Sequence, residues 1–265
     1  MAVTLIGAPY DAASSFLRGA AEAPAKIRRA LFSPAGNLWT ELGADLGALG
    51  VLNDAGDLTI PDDPAGARVA ITSGVRAALD RAERPLVLGG DHAVTLPVME
   101  AVHAVHGPVT ILHVDAHPDL YNEFQGDRYS HACPFARIME AGLARRLVQV
   151  GIRAATGHQR EQARRFGVET VDMAAWTAGA RPTLAAPLYV SVDLDGLDPA
   201  FAPGVSHREP GGLTVRDLIG LLHALPAPVV AADVVEFNPR RDVDGVTAVV
   251  AAKLVKELAG VMAAA

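Results

Sequence analysis

The chain has 265 residues, half of them hydrophobic, and a formal net charge of -7. This length and composition allow one large α/β domain or two small ones. The acidic balance, without a run of Lys and Arg, argues against nucleic acid and membrane surfaces as partners. The single cysteine, Cys133, excludes an internal disulfide and a multi-cysteine zinc site, which fits a reducing compartment. Together with an N-terminus unlike a signal peptide, this predicts a cytoplasmic protein.

Short apolar runs alternate along the chain with longer segments of helical periodicity. The runs predict strands at 3–6, 86–88, 109–114, 147–150, 188–194 and 229–235. The helical spacing predicts helices at 67–82, 155–166, 215–224 and 245–263, whereas the loop-rich segment 33–65 is not assigned. Alternating strands and helices indicate an α/β fold with a mostly parallel sheet covered on both faces. Since no linker divides the chain, we expect a single domain over residues 1–265.

Carboxylates and imidazoles cluster at the ends of three predicted strands. They are His92 after the strand at 86–88, Asp115, His117 and Asp119 after the strand at 109–114, and Asp193 and Asp195 at the end of the run 188–194. Ligands of open parallel sheets bind beyond the carboxyl ends of the strands. Alternate side chains of an extended segment point to one face, so these groups can converge. One Asp-x-His pair alone would indicate only an ordinary turn, but three such strand ends together predict a metal site.

The ligand types in this predicted site indicate two divalent ions. Four carboxylates a few ångströms apart would repel one another unless cations neutralised them, and two divalent ions balance four negative charges. Oxygen and imidazole ligands without thiolate suit Mn²⁺, Fe²⁺, Co²⁺ or Zn²⁺, and the excess of carboxylates favours Mn²⁺. A pair of such ions can lower the pKa of a bridging water until hydroxide forms near neutral pH. The expected chemistry is metal-assisted hydrolysis.

Four motifs resemble the signatures of the ureohydrolases, the family of arginases and agmatinases. They are "GGDH", "DAHPD", "SHACPFAR" and "SVDLDGLDPAFAPG", in the order and spacing of that family. The segments "SSFLRG", "VSHREPGGLT" and "DVVEFNPRRD" resemble most closely the plant-type arginases and their bacterial relatives. The resemblance implies a three-layer sandwich of the arginase/deacetylase type, two Mn²⁺ per subunit, a small guanidino substrate and a homo-oligomer, trimeric or hexameric.

The resemblance also assigns roles to individual residues. It implies that one ion is bound by His92, Asp115, Asp119 and Asp193, and the other by His117, Asp115, Asp193 and Asp195. Asp115 and Asp193 would then bridge the two ions. It further implies catalytic roles for His131, Glu236 and Asp119, with His131 as the proton shuttle for the departing amine and Glu236 as the partner of the guanidinium cation. Substrate contacts are expected from Glu236, His131, Tyr121 and His207.

The substrate is less sharply defined than the reaction. Tyr121 stands where many arginases have the Asn that holds the substrate α-carboxylate, as is common in agmatinases. Thr156 stands where those arginases have an acidic residue near the α-amino group. We favour L-arginine, giving L-ornithine and urea, because the plant-type arginases resemble the whole chain. Agmatine is the alternative, favoured by Tyr121 and Thr156 at these two positions, and another guanidino acid is a further one.

Two other classes of protein remain as hypotheses. The first is a binuclear metallohydrolase of another kind or a deacetylase-like relative of the same fold. A deacetylase-like hydrolase would hold a single zinc ion and a different set of histidines, so one metal ion per chain would favour it. A non-catalytic binding protein would have lost a metal ligand or His131, whereas every expected position is filled.

Overall fold

A computed structural model of the protein describes residues 1–264. Its strands are β1 Val3–Gly7, β2 Leu52–Asp57, β3 Arg84–Leu88, β4 Val109–Val114, β5 Ala144–Val150, β6 Glu169–Val171, β7 Leu188–Asp193 and β8 Val229–Val235. Its α-helices are α1 Ala23–Leu31, α2 Pro64–Asp80, α3 Thr95–His106, α4 Pro134–Glu140, α5 Gly157–Phe166, α6 Met173–Thr177, α7 Val215–His223 and α8 Val246–Ala263. The eight strands form one sheet in the order β2-β1-β3-β8-β7-β4-β5-β6, and every adjacent pair is parallel.

Helices cover both faces of the sheet, because neighbouring residues along a strand point to opposite sides. In β3, Leu86 joins the hydrophobic cluster that includes α1, α7 and α8. The next residue, Val87, joins the cluster that includes α2, α3 and α4. Both residues are fully buried, so the central strands are apolar on both faces, as expected for a parallel sheet. The prediction of a three-layer α/β fold is confirmed.

The predicted central strands agree with the structure, and the strands at the edges were missed. Those predicted at 109–114 and 229–235 coincide with β4 and β8. However, β2 lies inside the segment that the sequence left unassigned, and β6 was not predicted. Both are edge strands with mostly exposed or half-buried residues, so neither carries the continuous apolar run by which a buried strand is recognised.

The order of strands brings distant parts of the sequence together. β4 lies beside β7, and β8 separates β7 from β3, so four consecutive strands of the sheet are drawn from residues 84 to 235. Their carboxyl ends share one edge, which is where the predicted metal ligands occur. Among residues 1–264, no helix has both the length and the apolar character needed to cross a membrane.

The turn after β3 packs directly against another backbone segment. The N–H of Asp91 donates to the carbonyl of Tyr10 at 2.9 Å, and the carbonyl of Gly90 accepts from the N–H of Glu236 at 2.8 Å. A Cβ on Gly90 would lie only 1.7 Å from the carbonyl oxygen of Tyr10. Glycine is therefore required at position 90 by the close approach of two backbones. This contact fixes the position of the turn that carries His92.

We expect Gly90→Ala to lower the free energy of unfolding by about 3 kcal/mol, because the backbone oxygen of Tyr10 must be displaced. Gly220→Ala is the matched control. Gly220 lies in α7, and no atom outside its own helix backbone lies within 4 Å of the point that a Cβ would occupy. Alanine there should therefore be neutral or stabilise by up to about 1 kcal/mol. Urea denaturation measures both; equal stabilities of the two variants would contradict the assignment.

Candidate active site

The structure brings the six predicted metal ligands together at the carboxyl ends of β3, β4 and β7. They are His92, Asp115, His117, Asp119, Asp193 and Asp195. Five of them are buried, and the side chain of His117 is 24% exposed. Asp119 has a positive φ of 50°, in the left-handed region that Asp tolerates better than most residues. Such conformations occur often at functional sites.

His92 faces a ring of carboxylate oxygens. Its Nδ1 atom lies 3.2 Å from Oδ2 of Asp115, 3.1 Å from Oδ2 of Asp119 and 3.2 Å from Oδ2 of Asp193. Adjacent ligands of an octahedral ion lie about 3 Å apart. Yet Nδ1 is buried and forms no hydrogen bond with the described residues. The spacing is that of ligands around a common cation.

The other ring nitrogen of His92 determines what Nδ1 can do. Nε2 lies 2.9 Å from Oγ of Ser191, whose hydroxyl donates to Oδ1 of Asp233 at 2.6 Å. Because that hydroxyl has only one proton, it must accept from Nε2–H of His92. With Nε2–H committed to Ser191, a neutral imidazole would present the lone pair of Nδ1 to three carboxylates. This arrangement requires a positive charge between them, and the residues present fit a divalent metal ion.

A second cluster shares Asp115 with the first. Nδ1 of His117 lies 3.1 Å from Oδ2 of Asp195 and 3.4 Å from Oδ1 of Asp115. The described residues thus contain two groups able to hold a metal ion, one with His92, His113 and Asp115, the other with Asp115, His117 and Asp195. Asp115 directs one oxygen to each histidine, as a bridging carboxylate would.

The carboxylates of the two clusters repel one another. Burial and the neighbouring Asp115 raise the pKa of Asp195 to about 6. Burial, Asp195 and Asp115 raise the pKa of Asp193 well above its ordinary value. Burial lowers the pKa of His92, but the three facing carboxylates outweigh it and raise that pKa well above the usual range. Without metal, the site therefore takes up protons, which metal ions would displace.

An imidazole–carboxylate pair lies beside the predicted metal ligands. Nδ1 of His131 lies 3.0 Å from Oε1 of Glu236, and Nε2 lies 2.8 Å from Oγ of Ser15. Burial lowers the pKa of His131, but the hydrogen bond and the charge of Glu236 outweigh it and raise that pKa to about 9. Glu236 also accepts from the backbone N–H of His92 at 3.0 Å, which ties this pair to the first metal cluster. His131 can hold a proton at neutral pH.

These groups line a cavity of about 150 Å³. Its walls include the predicted substrate contacts Tyr121 and His207, and the ring of His207 stacks on that of His131 with 5.3 Å between centroids. Two polar lining residues were missed by the sequence analysis, Ser15 and Gln159. Ser15 belongs to the segment "SSFLRG", which was noted only for its resemblance. Gln159 gave no signal, because its part in the cavity depends on the placement of α5.

The parallel α/β sheet and the His/Asp clusters at its edge define an α/β metallohydrolase. The model of the Arginase family matches residues 1–260, and the chain belongs to this family. Arginase 1, mitochondrial, of Arabidopsis thaliana is 50% identical over 273 residues, covering 97% of this chain and 80% of that protein. The family resemblance is thereby confirmed, and the protein is an enzyme of the ureohydrolase class.

Solved structures agree in fold. The arginase from Medicago truncatula has a TM-score of 0.95 and 47% identity, covering 98% of this chain and 87% of that chain. A hypothetical agmatinase from Burkholderia thailandensis has a TM-score of 0.88 and 29% identity, covering all of this chain and 86% of that chain. The plant enzyme is the more similar of the two in both sequence and structure.

The predicted cytoplasmic location is wrong by the same comparisons. The Arabidopsis thaliana relative is named mitochondrial, and a second protein of that plant, 46% identical over 274 residues, is named arginase 2, chloroplastic/mitochondrial. The prediction rested on the single cysteine, as a sign of a reducing compartment, and on an N-terminus unlike a secretory signal peptide. Because an organelle matrix is also compatible with free thiols, cysteine content did not separate the two locations.

We expect Glu236→Gln to lower the pKa of His131 from about 9 toward the ordinary histidine value of about 6.5, because the neutral amide no longer stabilises the imidazolium. The metal-free protein can be titrated by NMR of the His131 ring. Glu140→Gln is the control, since Glu140 pairs with Arg128 and Arg137 rather than with His131. A pKa of His131 that is the same in both variants would refute the pairing.

Proposed function

We propose that this protein hydrolyses L-arginine to L-ornithine and urea, using two Mn²⁺ ions per subunit. The observation that carries the proposal is Asp115, which directs one oxygen to each of two histidine-containing clusters. The plant arginases, about half identical over nearly the whole chain, support both the reaction and the substrate.

The donor set supports the choice of metal. We assign one ion to His92, Asp115, Asp119 and Asp193, and the other to His117, Asp115, Asp193 and Asp195. Four carboxylates and two imidazoles without a thiolate favour Mn²⁺ among the first-row divalent ions. Metal ions held by these residues would lower the pKa of a bound water, which would supply the nucleophile, and would neutralise the charge of the carboxylates.

The remaining catalytic steps fall to the protein's own side chains. Glu236, buried and anionic, accepts hydrogen bonds from the substrate guanidinium. Asp119 belongs to the metal cluster and also lines the cavity, and we assign it to accept a hydrogen bond from the attacking water. His131 holds a proton on Nε2, the nitrogen not committed to Glu236, and donates it to the departing amine. Ser15, bonded to the same nitrogen, orients that proton.

Gln159 favours arginine over agmatine as the substrate. Its Oε1 accepts from the backbone N–H of Thr156 at 3.1 Å and from the Thr156 hydroxyl at 3.2 Å. This directs the amide NH₂ of a buried side chain away from Thr156, and Gln159 lines the cavity. An amide donor suits the α-carboxylate of arginine, which agmatine lacks. Tyr121 and His207 also line the cavity, and we propose that both contact the aliphatic part of the substrate.

Two features of the molecule as a whole complete the proposal. The strands of the one sheet extend from residue 3 to residue 235, which supports a single ureohydrolase domain over residues 1–265. By the resemblance to the ureohydrolases we also propose a homo-oligomer, trimeric or hexameric, which analytical ultracentrifugation would distinguish from a monomer.

The direct test is urea release by Mn²⁺-loaded protein with arginine, agmatine and 4-guanidinobutyrate assayed side by side. We expect kcat/KM to be highest for arginine and activity to disappear when the metal is removed by a chelator and to return with Mn²⁺. A preference for agmatine would replace the proposed substrate while keeping the reaction. Release of no urea from any of the three would refute the reaction itself.

We expect Gln159→Glu to reduce kcat/KM for arginine by about 10- to 100-fold, because a carboxylate replaces the donor that faces the substrate carboxylate. The new side chain keeps an oxygen for Thr156, so the start of α5 is preserved. Activity toward agmatine should not fall. Gln162→Glu, also buried on α5 but outside the cavity lining, is the control. An equal loss for both substrates would contradict the role of Gln159.

A further inference from the structure

A buried histidine and a buried glutamine on adjacent strands support the shared metal ligand. His113 on β4 pairs in register with Gln149 on β5, and both side chains are fully buried. Nε2 of His113 lies 2.7 Å from Oδ2 of Asp115, and Nδ1 lies 3.0 Å from Nε2 of Gln149. The same amide nitrogen donates to the carbonyl of Pro118 at 2.7 Å. A continuous chain of hydrogen bonds thus runs from Pro118 to Asp115.

The direction of each bond in this chain follows from Pro118. Its carbonyl can only accept, so the NH₂ group of Gln149 must face it; the reversed amide would oppose two oxygens at 2.7 Å. The same NH₂ then meets Nδ1 of His113, which must accept. A protonated imidazole would place N–H against NH₂, two donors in contact. His113 is therefore neutral, carries its hydrogen on Nε2, and donates to Asp115.

This direction decides the role of His113. His92, His113 and Asp115 lie close enough to share a metal ion. However, Nε2 of His113 carries a hydrogen, so it has no lone pair for a metal, and its distance of 2.7 Å from Asp115 is that of a hydrogen bond. The ring of Phe135 stacks on the imidazole with 3.9 Å between centroids, which restricts its rotation. His113 supports a ligand and is not one.

We propose that Gln149 is a positioning residue for the metal centre, which selects the Nε2–H tautomer of His113 and thereby orients Asp115. Through the carbonyl of Pro118 it also anchors the loop between His117 and Asp119. The inference rests on the proposed metal site. Its consequence is that Mn²⁺ affinity depends on a residue that contacts neither metal ligand nor substrate. Loss of such supporting partners typically weakens metal binding by about 10- to 100-fold.

The tautomer can be measured without any substitution. Protein labelled with ¹⁵N in histidine and loaded with diamagnetic Zn²⁺ in place of Mn²⁺ gives two-bond ¹H–¹⁵N correlations for the His113 ring. We expect the pattern of a neutral ring with the hydrogen on Nε2. A ring with the hydrogen on Nδ1, or an imidazolium, would overturn the proposal.

The effect on the metal is tested with Gln149→Met, which removes both donors at similar length. Calorimetric titration of the full chain with Mn²⁺ should show binding weakened by about 10- to 100-fold. Gln162→Met, at another buried glutamine outside the metal site, should bind as the unaltered protein does. Unchanged affinity in Gln149→Met would refute the role. No substrate enters the experiment, so its result is independent of whether urea is released.

A double-variant experiment distinguishes an effect of Gln149 on the His113 tautomer from an effect on packing. In the His113→Gln variant, the new amide N–H can donate to Asp115 whatever residue stands at position 149. Adding Gln149→Met to this variant should therefore weaken Mn²⁺ binding by a smaller factor than it does in the unaltered protein, because only the hydrogen bond to Pro118 is then lost. An equal weakening with and without His113→Gln would overturn the tautomer role.

A further variant serves if Gln149→Met does not fold. Gln149→Glu accepts a hydrogen bond where Gln149 donates one, so it should shift the His113 ring to the Nδ1–H tautomer or to imidazolium. An unshifted ring would count against the proposal.

Discussion

The active site depends on one constraint, the mutual repulsion of four buried carboxylates: Asp115, Asp119, Asp193 and Asp195. Four carboxylates face one small volume, shielded from water, where the pKa of Asp193 is raised well above its ordinary value. Such a cluster would oppose folding unless protons or metal ions joined it, so metal binding and stability are coupled. The histidines at both ends of the cluster divide it into two groups that could each hold a metal ion.

The sheet supplies the rigidity that this cluster needs. β3, β8, β7 and β4 are consecutive in space, fully buried, and end at the same edge. Buried polar side chains on these strands hydrogen-bond to the predicted metal ligands and orient them. Asp233 on β8 accepts from Ser191, Thr95 and Tyr189, and Ser191 in turn sets the ring of His92. The networks through Asp233 and through Gln149 act on different ligands but by the same means, a hydrogen bond whose direction is fixed by its neighbour.

Local sequence predicted the central strands and missed the two edge strands for one reason. Periodicity reports burial, and β4 and β8 are buried along their whole length, whereas β2 and β6 at the edges are not. The six predicted metal ligands converge because each follows a strand whose carboxyl end shares one edge, which the general geometry of parallel sheets anticipates. Ser15 and Gln159 were missed because each enters the cavity from a loop or helix start whose position no local pattern reveals.

The sequence by itself determined the ligand types, the parallel α/β class and the family, because these are carried by short motifs and by the alternation of apolar runs. Only the tertiary structure decided how β4, β7 and β8 are ordered, and so which atoms meet. It also decided that His131 pairs with Glu236, 105 residues away, and that His113 donates to Asp115. The physical reason is that hydrogen-bond direction and pKa depend on neighbours within a few ångströms, and these neighbours come from distant parts of the chain.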